Sequence, residues 1–120
     1  MALTAITAGT PTVGSKGPKQ FQGVFDVIPF KVTLTDATLP AGTSSQVDIT
    51  VPGVELGDIV LIGAPVDLSA GILVAQAQAA DTVTVTFHNS DDGAANTTLA
   101  AGIACNGLVL KPKSNVYDEL

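Results

Sequence analysis

Thr82-Val83-Thr84-Val85-Thr86-Phe87 alternates hydroxyl and apolar side chains without a break. A period of two puts every apolar residue on one face of an extended strand, whereas a helix would scatter them around its circumference. The same period recurs along the chain. Phe30, Val32 and Leu34 are separated by Lys31 and Thr33, and Val47, Ile49 and Val51 by Asp48 and Thr50. Gly53 and Gly57-Asp58 punctuate, and Ile59–Ile62 follows as a continuous apolar run, the pattern of a strand buried on both faces. Residues 71–80 contain helix-forming Leu, Ala and Gln, but the stretch is short and bounded by Gly71 and Asp81. It reads as a strand with Leu73, Ala75, Ala77 and Ala79 on one side and Val74, Gln76 and Gln78 on the other. Residues 103–110 set Asn106-Gly107 between two apolar triplets, which predicts a two-residue hairpin turn there. Many short strands with turn residues between them predict an all-β fold, a small antiparallel β-sandwich or barrel of jelly-roll or immunoglobulin-like kind.

Residues 1–23 show no sustained period and are rich in Gly, Thr, Pro and Ala. They read as an extended N-terminal arm that orders against a partner, and residues 24–120 as the single β-sandwich domain. With 4% aromatic residues and no Trp, the core has to be built from Val, Ile, Leu and Ala. Charged residues make up 13% of the chain, well under the ~25% usual for soluble domains. So little charge on a chain of 120 residues points to a surface partly covered by self-association or by another structure. The charge is also segregated. Residues 1–31 carry +2, residues 32–110 carry −8 with no lysine, and residues 111–120 are neutral. The absence of arginine and of a basic face argues against nucleic-acid binding. The longest apolar run, residues 59–66, is interrupted by Gly63 and Pro65 and is too short to span a bilayer. Residues 1–4 lack the basic start and apolar stretch of a secretory signal. The final Tyr-Asp-Glu-Leu lacks the residue that opens an ER-retention signal, and without a secretory signal the acceptor pattern Asn96-Thr97-Thr98 carries little weight.

The chemistry-bearing residues are few. His88 is the only histidine and Cys105 the only cysteine, so neither a zinc set nor an internal disulfide can be assembled from them. His88-Asn89-Ser90-Asp91-Asp92 follows a strand and consists of residues that turns favour, so it reads as the loop where that strand ends. Its carboxylate spacing does not fit a twelve-residue calcium loop. Asp58, Asp67 and Asp81 stand at turn positions rather than as a paired acid and base. Gly53–Gly57 is not followed by the Lys-Ser or Lys-Thr of a phosphate cradle. Tyr117 and four Phe offer few stacking platforms for sugars, and Phe30 and Phe87 belong to core faces. No cofactor, no metal and no catalytic residue is expected.

The stretch from Thr50 to Ala94 resembles a pattern in short virion proteins of tailed bacteriophages. Its pieces are Val51-Pro52-Gly53, Gly57-Asp58-Ile59-Val60, Pro65-Val66-Asp67-Leu68-Ser69-Ala70-Gly71 and Ala80 through Asn89. The pattern occurs in head-decoration (capsid cement) proteins and in tail-associated parts. The resemblance implies a small β-rich protein, commonly a homotrimer, made in the host cytoplasm and bound to the major capsid protein on the outside of the head. A tail- or fibre-associated sandwich that binds a host receptor or glycan is the alternative. Every matched motif is structural, so no catalytic role is implied. The charge split marks Lys16, Lys19 and Phe21 in the arm, with Lys111 and Lys113 near the other end, as the residues expected to contact capsid or neighbouring subunits.

Overall fold

A computed structural model of the protein describes residues 5–14, 25–35, 37–68, 70–91, 97–99 and 102–112. The fold is all-β: among the described residues there are ten strands and no helix, hence none long and apolar enough to cross a membrane. Antiparallel sheets pack face to face as a small sandwich.

The larger sheet is built on β3 (Phe25–Thr35) and β10 (Ile103–Pro112), which pair over their whole shared length from Ile103↔Leu34 to Pro112↔Phe25. β10 pairs on its other side with β6 (Ile59–Gly63). Two short strands, β1 (Thr7–Ala8) and β2 (Thr12–Val13), pair with β3. The stretch read as an N-terminal arm is therefore laid, over residues 5–14, against the chain's own sheet. Ile6 is buried there, and its N–H donates to Ser45 Oγ at 3.0 Å.

The smaller sheet has β8 (Thr82–Asn89) at its centre, flanked by β5 (Ser44–Thr50) and β7 (Gly71–Ala79). β4 (Ala37–Leu39) and β9 (Thr97–Leu99) form a separate two-stranded piece. Along the flanks the two sheets come together, β1 beside β5 and β6 beside β7, without ladder pairing between them.

The alternation read from the sequence sets the core. Phe30, Val32 and Leu34 of β3 face Ile49 of β5 and Val83, Val85 and Phe87 of β8, all buried. Residues 71–79 are a strand as expected, but a bulge between Ala77 and Ala79 shifts the register, so Ala79 is exposed rather than inward. Asp81, in the β7–β8 turn, takes a φ of 59°. Its carboxylate accepts the Gly53 N–H at 2.8 Å, and its N–H donates to Val54 O at 2.8 Å, fixing the β5–β6 loop to that turn.

Two expectations fail, for identifiable reasons. Asn106-Gly107 is no hairpin turn: β10 runs straight through both residues, with Asn106 opposite Lys31 and Gly107 opposite Phe30. Gly107 is there because the Phe30 ring occupies the space a β-carbon would need. Nor is Ile59–Ile62 buried on both faces. β6 is an edge strand whose inward residues Val60 and Ile62 pack on the core while Ile59 and Leu61 are exposed.

Candidate interaction surface

Pairing of β6, β10 and β3 places their outward residues in rows across the larger sheet. One row is Lys31, Asn106 and Gly63; the next is Pro29, Leu108 and Leu61; the third is Val27, Leu110 and Ile59. The first row is polar and the other two are apolar. Val27 is buried yet stands apart from the inner core cluster, whereas Leu108, Ile59 and Leu61 are 37%, 41% and 52% exposed. A shallow groove of about 610 Å³ lies over this face, with Lys31 and Asn106 at one side and Pro29, Leu61 and Leu108 along it.

The apolar surface continues round the flank. β7 lies next to β6, and its outward Ile72 and Val74 are 47% and 52% exposed. Leu56 and Val66 are exposed in the loops that lead into and out of β6. Every large apolar side chain that is substantially exposed among the described residues thus lies on or beside β6, β7 and β10. The outward face of β5 and β8 is the opposite case, carrying Ser44, Gln46, Asp48, Thr50, Thr82, Thr84, Thr86 and His88. Thr84 is buried there, and its hydroxyl donates to Asp48 Oδ1 at 2.7 Å.

Lys111 closes one end of the apolar face. Its Nζ donates to Asp58 Oδ2 at 2.8 Å and to Glu55 Oε1 at 3.4 Å, and its side chain is only 13% exposed. Burial works to lower the pKa of this ammonium. The hydrogen bond and charge of Asp58, joined by Glu55, outweigh burial and hold it above the usual lysine value. Asp58 also accepts the Glu55 N–H at 2.9 Å, so one carboxylate ties the β5–β6 loop to the end of β10. Lys111, expected as a contact residue, is thus engaged inside its own chain. Lys16, Lys19, Phe21 and Lys113 lie outside the described residues. Lys31 is exposed and makes no ion pair among the described residues.

His88 belongs to β8 rather than to the following loop, directly opposite Ser44 of β5. Ser44 Oγ and His88 Nδ1 share a hydrogen bond of 2.6 Å on the exposed face. Nothing in the sequence signalled that partner, 44 residues away. A serine and a histidine do not make a triad without a third group orienting the imidazole. No group of three or more His, Cys, Asp or Glu converges among the described residues. The next residue is a structural pin. Asn89 is fully buried, its Nδ2 donates to Leu39 O at 2.9 Å, and its Oδ1 accepts the Asp91 N–H at 2.9 Å. Ser90 donates to Ala70 O through both its N–H and its hydroxyl. The histidine-aspartate stretch that stands out in the sequence therefore latches the end of β8 to the β4–β5 turn and to the approach to β7.

No protein-family model, curated protein or solved structure matches the chain. The arguments left are those of its own surface. The apolar outer residues had a signal in the sequence, the unbroken runs Ile59–Ile62 and Leu108–Leu110. That signal marks burial, and within the single chain half of the burial is missing.

Proposed function

We propose that the protein is a structural virion component, a decoration protein that binds the outer surface of a phage head and stabilises the shell. The observation that carries this reading is the apolar outer face of β3, β10 and β6. Antiparallel sheets that face water on one side normally show polar residues there, and contiguous apolar patches of this kind mark association surfaces. The resemblance of residues 46–95 to short phage virion proteins supplies the kind of assembly. The low charge content of the chain fits a protein that works while covered. Binding the assembled shell but not its free subunits stabilises the shell by mass action. Lys16, Lys19 and Phe21, with Lys113, are the proposed shell contacts, while Lys111 braces the end of β10.

The experiment is to mix the purified protein with undecorated heads and count the copies bound. Saturable binding at a fixed ratio, with a raised temperature for release of packaged DNA, is the expected result. Removal of residues 1–20 is expected to lower occupancy. Binding to host cells or glycans with no binding to heads assigns the protein to a tail or fibre instead.

A further inference from the structure

We infer that the outer face of β3, β10 and β6 is the interface with a second copy of this chain, packed face to face with its strands reversed. The inference shares with the proposed function only the premise that this face is covered in use.

Three observations support a second copy. The first is extent. The exposed side chains along β6, β7 and β10 present on the order of 500 Å² of apolar surface, near the upper size of the largest patch on a monomer and approaching the ~800 Å² per partner of a stable association. The second is shape. Three strands in register offer a regular pleated face, and two such faces stack about 10 Å apart with their side chains interleaved. Leu61, Leu108 and Pro29 lie in the middle row and would sit on the two-fold axis.

The third is charge. A two-fold axis along that row, across the strands, turns each end of the face onto the other end of its partner. Lys31 lies two residues, ~7 Å, to one side of the Leu108 row. Glu55, 75% exposed on its side chain, lies beyond the row on the other side, next to Lys111. Glu55 is the more distant of the two acids sharing Lys111, at 3.4 Å against 2.8 Å for Asp58, so its charge is only partly matched within the chain. Reversal brings Lys31 of each copy toward Glu55 of the other, twice per pair. The parallel alternative sets Lys31 against Lys31 and Glu55 against Glu55. The −6 net charge of the chain opposes any association that lacks such matching.

Analytical ultracentrifugation of the full chain, with no shell present, tests this. A dimer at tens of micromolar is expected. Leu61→Lys, at an exposed position, is expected to weaken self-association at least 100-fold without lowering the melting temperature followed by circular dichroism. Lys31→Glu and Glu55→Lys are each expected to weaken it about 5- to 10-fold, and the double exchange to restore it. A monomeric wild type, a trimer, a dimer indifferent to Leu61→Lys, or a double exchange no better than its single parents overturns the inference. If a monomer still decorates heads, only the dimer is lost. If a dimer leaves heads bare, only the decoration reading is lost.

Discussion

Phe30 of β3 lies directly opposite Gly107 of β10, and its ring fills the volume that any larger residue at 107 would claim. The smaller sheet repeats the device, since a β-carbon on Gly71 would fall 2.6 Å from the ring of Phe87. Both buried phenylalanines thus rest on glycines. A core with so few aromatic residues gains close contact between its strands at these two points.

Gly107→Ala is expected to destabilise the protein by about 1–3 kcal/mol, because the ring has to leave its place in a packed interior. Phe30→Leu also destabilises when made alone. The double variant is expected to lose less than the two single losses combined, since the leucine vacates the contested space. Urea unfolding of all four proteins checks this, and strict additivity argues against the contact.

Removing the ammonium of Lys111 leaves Asp58, whose side chain is 7% exposed, without its cation. Lys111→Met is therefore expected to cost about 3 kcal/mol, almost all through Asp58 rather than the exposed Glu55. The pH dependence has a definite direction. The folded state holds the Lys111 proton more tightly than the unfolded chain does. Its contribution is complete below the ordinary lysine value and fades as the pH rises through the higher folded value. Thermal melts between pH 9 and 12 should show an alkaline loss of stability that is smaller in Lys111→Met.

Asn89 supplies both a donor and an acceptor from a fully buried position. Asn89→Ala is expected to lower stability by about 1–3 kcal/mol by leaving the Leu39 carbonyl and the Asp91 N–H short of a partner. Asn89→Asp keeps the shape but turns the Nδ2 donor into an acceptor facing that carbonyl. It is expected to be the worse of the two at neutral pH and to recover in acid. Melting temperatures at pH 4 and pH 7 distinguish the two cases.

Cys105 is fully buried on the inner face of β10, and burial pushes its thiol up from the usual range. A thiol reagent such as a disulfide-exchange chromophore is expected to leave it unmodified in native buffer and to react with one equivalent in denaturant. Reaction in native buffer at the rate of a free thiol contradicts the placement of β10.

The alternating strands were legible because side-chain period and burial share one geometry. Val83, Val85 and Phe87 could hardly face anywhere but inward. Asn106-Gly107 misled because the same dipeptide serves two purposes. The ease of positive φ that suits a hairpin turn says nothing about a ring approaching from the neighbouring strand, and only the pairing of β3 with β10 reveals that ring. Residues 59–62 misled differently, since an apolar run reports that a strand is covered without saying by what. Ser44 and His88 could not be matched from sequence, because strand register brings together residues that no local pattern links.

The pairing of Phe25 with Pro112 has one more result. The point where the polypeptide runs into β3 and the point where it runs out of β10 are lateral neighbours at a single pole. The segments flanking that pair are rooted side by side, about 5 Å apart. A short covalent bridge between those roots, or a circular permutation joined there, would leave every ladder intact. Cargo grafted after β10 would emerge from that pole and leave the far pole, where Ile103 meets Leu34, unencumbered.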